Sequence, residues 1–295
     1  MGSEVGRLVA AARRWPLERS GLVEPISGVW SHSLFGADLN GQAVVVKVFG
    51  DVRRDEHVRE WDALCALGDG DLAPEPLHLS VDDGRPAIVM SRVEGRRLGL
   101  ADLTESQLEA FVAAHHRVHC AWPEAVRQAN SSPATILART SAALTEFATA
   151  PGPIPSTRAR ALQVAATWTR SIGPTWDEAW QGREVYCRGD PNSANYLWSG
   201  DQVTLVDFGD AGRNDPAFEL ADMVEHAANR DLSVATVDHL SELWDQDRRR
   251  PDLLQGRRII ACFWLVLLEG RERQNLPPRQ VTATQQAERV LELLS

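Results

Sequence analysis

The stretch that most restricts the fold of this chain is CRGDPNSANYLWSGDQVTLVDFGDAGRNDPAFELAD, which begins at Cys187. Asp190 is followed five residues later by Asn195. The apolar and aromatic residues after it, broken by a Ser199-Gly200 turn signal, predict a β-hairpin ending at Asp207-Phe208-Gly209. A loop carboxylate, an amide oxygen and a second carboxylate are brought to one place by such a hairpin. They offer a base and the hard oxygen ligands that Mg²⁺ prefers. Phosphoryl transfer asks for little more: a base for the hydroxyl proton, metal ligands, and a cation over the phosphate oxygens.

The cation is found in GQAVVVKVFG, residues 41–50, where Lys47 stands in an apolar run. Lys47 is the only lysine; the other 30 of the 31 basic residues are arginine. Lysine carries a compact point charge on a flexible stem, whereas arginine is a planar fork that would sit differently over a triphosphate. A general drift toward arginine therefore leaves this one position unconverted.

The formal net charge of −10 and the pI of about 5.3 argue against nucleic acid or an anionic membrane as partner. Cys65, Cys120, Cys187 and Cys262 form no CxxC pair and have apolar or aromatic neighbours, so they are expected to be buried, reduced thiols. AARRWPLERS has a twin arginine with no apolar stretch behind it, and the longest apolar run, Ile259 to Leu268, is too short to span a bilayer. A cytoplasmic protein, monomeric or weakly dimeric, is expected.

The first ninety or so residues read as strands with one helix. A hairpin turns at Asn40-Gly41 and a second at Asp83-Gly84. Between them Val58, Trp61, Leu64, Cys65 and Leu67 recur at helical intervals. From about Glu94 the chain reads as helical, with a capping box at Thr104 and Gln107 and one return to strands before Asp207. The expected architecture is α+β and bilobal. Residues 1–92 would form a β-rich, nucleotide-binding lobe, and 93–295 a larger, mainly helical lobe for catalysis and substrate binding.

These motifs resemble the aminoglycoside phosphotransferase and choline kinase-like enzymes, which share the protein-kinase fold. The resemblance runs from about Ser27 to Glu225. Asp190 and Asn195 in RGDPNSAN match the family's catalytic loop, commonly written H-G-D-x-x-x-x-N, and Asp207 matches its metal-binding aspartate. Lys47 matches the strand lysine and Glu60 its helix partner; Glu56, four residues earlier on the same face, is a rival. AIVMSRVEGRRL looks like the hinge, where Met90 would face the adenine and the backbone from Ser91 to Val93 would bond its edge. The resemblance implies ATP or GTP as co-substrate with Mg²⁺, Asp190 as catalytic base, and Asn195 and Asp207 as metal ligands. Two departures stand out. Arg188 replaces the usual histidine two residues before the base, and ISGVWSHSLF, where Val29 to Ser33 including Ser31 would cover the phosphates, lacks G-x-G-x-x-G.

Antibiotic-modifying members of that family bind cationic substrates through carboxylates, which makes Asp210, Asp222, Glu225 and Glu269 candidate substrate contacts. The reading is a phosphotransferase acting on a hydroxyl of a cationic antibiotic of aminoglycoside or basic peptide type, conferring resistance. Alternatives are a metabolic kinase for a sugar, amino alcohol or nucleoside-like compound, and a nucleotide-binding pseudokinase. Only five residues separate Gly209 from Asp215, too few for a protein kinase's activation segment. His115 and His119, four apart on a helix, lack a third ligand in the HExxH manner and are assigned to structure, as are most of the ten tryptophans. Asp215-Pro216 reads as an N-cap followed by a first-turn proline.

Overall fold

The computed structural model describes the chain except for residues 1, 16–20, 27–31, 51–54, 69–70, 82–84, 124–125, 150–154, 173–183, 245–249 and 277–280. Ser31, Val29 and the Asp83-Gly84 turn therefore lie outside the described residues.

A five-stranded antiparallel sheet of order β1-β2-β3-β5-β4 dominates the N-terminal part. Its strands are β1 (Glu24–Pro25), β2 (His32–Leu39), β3 (Gln42–Phe49), β4 (Pro76–Ser80) and β5 (Ala87–Ser91). The β2–β3 turn holds Asn40 at φ 57° and Gly41 at φ 85°. Both central residues are left-handed, as a two-residue turn matched to strand twist requires, and Asn-Gly accepts this at least cost. That turn sets the register. Leu39 faces Gln42 and Leu34 faces Lys47.

Strand alternation then sorts β3 into two faces. Val44, Val46 and Val48 pack with Val89 and Phe35 against helix α1 (Gly2–Arg14), through its Val5, Leu8, Val9 and Ala12. Phe49 joins the main core on the other side with Ile88 and Met90. Lys47 shares the parity of Phe49 and so points away from α1, toward helix α2 (Glu56–Leu67). The expectation of a single N-terminal helix is thus corrected. The valine face of β3 needs an apolar cover, and α1 provides it.

α2 also departs from its predicted stripe. Its buried residues are Glu60, Ala63, Leu64 and Leu67, while Cys65 is exposed. The helix turns toward Lys47, so a carboxylate takes an inward position that periodicity alone assigned to apolar groups. Cys120 is exposed as well, and only Cys187 and Cys262 are buried.

The C-terminal part begins at β6 (Arg96–Arg97), which pairs with the hairpin β8 (Tyr196–Ser199) and β9 (Gln202–Leu205). A second ladder joins β7 (Val185–Cys187) to β10 (Gly212–Asn214). Helix α3 (Glu105–Cys120) starts at the Thr104/Gln107 capping box and packs Phe111 on Tyr196 and Trp244. The remaining α-helices among the described residues are α4 (Pro133–Thr149), α5 (Ser156–Ile172), α6 (Pro216–Glu225), α7 (Val234–Trp244), α8 (Arg250–Arg273) and α9 (Ala283–Leu294). The apolar run from Ile259 to Leu268 is the centre of α8. No helix among the described residues is long and apolar enough to cross a membrane. Phe111 has no exposed surface and touches the ring of His115 as well, so Phe111→Ala should lower stability by about 3–5 kcal/mol, read as a shift in urea midpoint at constant slope.

Candidate active site

Lys47 projects between two carboxylates. Its Nζ donates to Glu60 Oε2 at 2.5 Å and to Asp207 Oδ1 at 2.9 Å, the latter 160 residues away in sequence. Lys47 and Glu60 are 3% and 1% exposed. Burial alone would lower the ammonium's pKa, but the two carboxylates outweigh it and hold it above the ordinary lysine value. Asp207 shows the converse. Burial pushes it up, yet Lys47 brings it down to about 2. Burial pushes the Glu60 carboxyl up against the pull of Lys47. Glu56 lies elsewhere, 3.1 Å from His32 Nε2 on strand β2.

Asp190 follows Gly189, whose φ of 85° and close approach to Asp210 exclude a side chain; a Cβ there would lie 2.3 Å from the Asp210 carbonyl oxygen. The loop is fastened by its own polar groups. Asn192 N donates to Asp190 Oδ1 at 3.1 Å, and Asn195 Nδ2 donates to Asp190 Oδ2 at 2.8 Å. Val206 N donates to the Asn195 carbonyl at 3.0 Å, which ties this loop to the strand end that precedes Asp207. With its Nδ2 engaged, Asn195 keeps its amide oxygen for a metal, and it lines the same cavity as the Asp207 carboxylate. Both are hard oxygen donors, a set that fits Mg²⁺.

Behind the loop lies a carboxylate that the motif reading did not single out. Glu219 on α6 accepts the Arg188 backbone N–H at 2.7 Å through Oε1, and its Oε2 lies 2.7 Å from His119 Nε2 and 3.5 Å from His115 Nδ1. Burial would raise its pKa, but the neighbouring His115 and His119 hold it well below the ordinary carboxylate range. These three residues bring metal-ligand atoms within 4.8 Å of one another, yet both Glu219 oxygens already hold protein donors. The cluster therefore braces the Asp190 loop from α3. A charged residue inside the apolar run AFELADMV was the available signal.

One cavity of about 1010 Å³ gathers most of the predicted residues. Lys47, Glu60, Met90, Ser91 and Val93 line it, together with Asp190, Asn195 and Asp207. Ser91 N and Arg92 N already donate to the carbonyls of Glu75 and Ala43, at 2.9 and 3.0 Å. The same lining includes Asp210 and Asp222, with Ile136, Phe263, Trp264 and Leu267 from α4 and α8. Asp210 accepts Asn130 Nδ2 at 3.0 Å. Burial pushes Asp222 well above the carboxylate range, reinforced by Asp190, Glu219 and Asp210 nearby.

Glu225 and Glu269 do not line the cavity. Each is 1% exposed and enclosed by arginines: Glu225 by Arg257 at 2.8 Å and Arg289 at 2.7 Å, Glu269 by Arg158 at 2.6 Å and Arg273 at 3.2 Å. These pairs join α6 and α5 to α8 and α9, which corrects the expectation that all four acids face the substrate. Burial raises the Glu225 carboxyl, but the Arg289 and Arg257 guanidinium groups lower it overall. A carboxyl depressed in the folded state contributes stability above its unfolded value of 4.5 and loses it as pH falls through the folded value. Glu225→Gln should therefore cost about 3–5 kcal/mol at pH 7, with the deficit shrinking below about pH 4.5. Urea titrations at several pH values test this, and a pH-independent deficit would count against it.

The family model described as "Phosphotransferase enzyme family" matches residues 22–254. Similar solved structures include a choline/ethanolamine kinase family protein from Mesorhizobium loti, at TM-score 0.69 and 16% identity, covering 99% of this chain and 95% of that one. Choline kinase LicA from Streptococcus pneumoniae aligns at TM-score 0.67 and 13% identity, covering 98% and 99%. A spectinomycin phosphotransferase, solved with ADP and spectinomycin, aligns at 0.61 and 11%, covering 92% and 88%. At these identities the likeness is one of fold, an α+β, bilobal, kinase-like arrangement. A search of curated protein sequences finds no match.

Proposed function

Because the chain belongs to the phosphotransferase enzyme family, a group of small-molecule phosphotransferases, we propose that it moves the γ-phosphate of ATP or GTP to a hydroxyl of a small cationic molecule. The observation that carries this reading is the 2.9 Å bond between Lys47 and Asp207 inside the cavity that Asp190 and Asn195 also line. In this reading residues 1–92 hold the nucleotide and 93–295 supply chemistry and acceptor binding.

Each role follows from the donor and acceptor inventory. Asp190, held by Asn192 and Asn195, would orient the acceptor hydroxyl and take its proton. Lys47, steadied by Glu60, would hold the α/β phosphates. Asn195 and Asp207 would hold Mg²⁺, which when bound neutralises charge on the phosphate oxygens. Met90 would pack on the adenine. Its edge would pair at Val93, since the Ser91 and Arg92 N–H groups are already engaged. The ADP in the spectinomycin phosphotransferase structure supports a nucleotide as co-substrate.

The acceptor end favours a particular cation. Glu225 and Glu269 are engaged by arginines, whereas Asp210 and Asp222 line the cavity together with an apolar wall of Ile136, Phe263, Trp264 and Leu267. Two carboxylates beside an apolar wall suit a compact cation with an apolar flank, whether an amino alcohol or a cationic antibiotic of modest charge. Heavily polycationic aminoglycosides fit that wall less well, because their ammonium groups would lose water without gaining partners.

The test is Mg²⁺-dependent transfer from ATP and GTP across aminoglycosides, basic peptide antibiotics, choline-like alcohols, nucleosides and sugars. Asp190→Ala is expected to lower transfer by at least about 10³-fold while nucleotide binding stays within about twofold. Equal turnover in that variant rejects Asp190 as base. Nucleotide binding with no transfer to any acceptor favours a binding module. For a cationic acceptor, Asp222→Asn should raise KM about tenfold with kcat nearly unchanged, and an unchanged KM removes Asp222 from the acceptor site.

A further inference from the structure

Arg188 occupies the place where the resembling enzymes carry histidine, and it is 1% exposed, the largest of the fully buried side chains. Its guanidinium lies 5.0 Å from the centre of the Tyr196 ring and 5.9 Å from that of Phe208. Among the described residues it forms no ion pair. One nitrogen, Nη2, donates to two carbonyls, those of Val206 at 2.7 Å and Asp207 at 3.0 Å.

Those two carbonyls belong to the peptide planes on either side of the Asp207 Cα. A single donor that captures both fixes the rotation of each plane, and so fixes both backbone dihedrals of Asp207. Asp207 has φ 65°, a left-handed conformation that residues other than glycine avoid unless their surroundings hold it. Nη2 can serve both carbonyls because it carries two N–H groups, whereas each nitrogen of an imidazole carries at most one. The backbone N–H of Arg188 is itself anchored on Glu219 at 2.7 Å, so the donor is held from behind.

We propose that Arg188 is a positioning residue, which holds Asp207 in its left-handed conformation and thereby sets where that carboxylate meets Mg²⁺ on the nucleotide. The arginine is then a working replacement for the histidine and not a sign of lost activity. This rests on the phosphotransferase reading above, and its test is chosen to fail separately.

Full-length wild type, Arg188→Met and Arg188→His are compared by thermal shift with ATP and with GTP, each titrated with Mg²⁺ or held in EDTA. In Arg188→Met, stabilisation by metal-free nucleotide should stay within about twofold of wild type, while the Mg²⁺ needed for half-maximal further stabilisation rises about tenfold or more. Arg188→His, which keeps one donor, should lie between the two. A folded Arg188→Met with wild-type Mg²⁺ dependence overturns the proposal. Equal loss of stabilisation with and without Mg²⁺ also overturns it, because that is what a merely structural role would give. If Arg188→Met does not fold, Arg188→His decides, and its wild-type Mg²⁺ dependence is the overturning result. Wild type that binds Mg²⁺-nucleotide without transferring phosphate to any acceptor would defeat the proposed function and leave this comparison intact. Wild type that binds no nucleotide overturns both.

Discussion

A buried ammonium between two carboxylates, Lys47 between Glu60 and Asp207, is the constraint around which the N-terminal sheet and the Asp190 and Asp207 loops are arranged. Taking one unpaired charge of this kind out of water costs several kcal/mol, so neither lysine nor glutamate is tolerable there alone. The pair obliges α2 to turn Glu60 inward, and the bond to Asp207 obliges a strand end from the C-terminal part to meet a strand from the N-terminal sheet. Arg59, next to Glu60, extends the same junction by donating to the carbonyls of Gln128 and Ala211.

Two sets of acidic side chains differ in what faces them. Glu219, Glu225 and Glu269 lie on helices that would otherwise bury apolar groups, and each is satisfied by histidine, arginine or backbone N–H. Each stabilises the packing around it only while its partners remain. Asp190, Asp210 and Asp222 face the cavity instead, close enough to one another that burial and mutual repulsion raise Asp222. The first group holds helices together, and the second lines the cavity.

Much of this is legible in the order of residues alone. The Asn40-Gly41 turn, the Thr104/Gln107 capping box and the Asp215-Pro216 cap depend on residues next to one another in sequence, and each is present. The Asp190, Asn195 and Asp207 spacing is legible for the same reason, since one loop and one hairpin carry all three. Other features are hidden. Helix α1 is needed only because the valine face of β3 must be covered. Cys65 fits an apolar stripe by spacing but is displaced outward when Glu60 turns in. Glu225 and Glu269 look like any acid on a helix until α9 and α5 bring arginines against them.

Sequence by itself determined the local geometry and the chemical inventory: a hairpin register, helix caps, one lysine among arginines, and a carboxylate–amide–carboxylate set at a spacing suited to Mg²⁺. Those depend on interactions across a few residues, which the order of side chains specifies directly. Only the tertiary structure decided which acids face the cavity, that Glu60 and not Glu56 meets Lys47, and that Arg188 bonds both carbonyls flanking Asp207. The reason is physical. The state and role of a charged group are set by how far it is taken from water and by what lies within a few ångströms of it, and those neighbours come from segments as much as 160 residues apart.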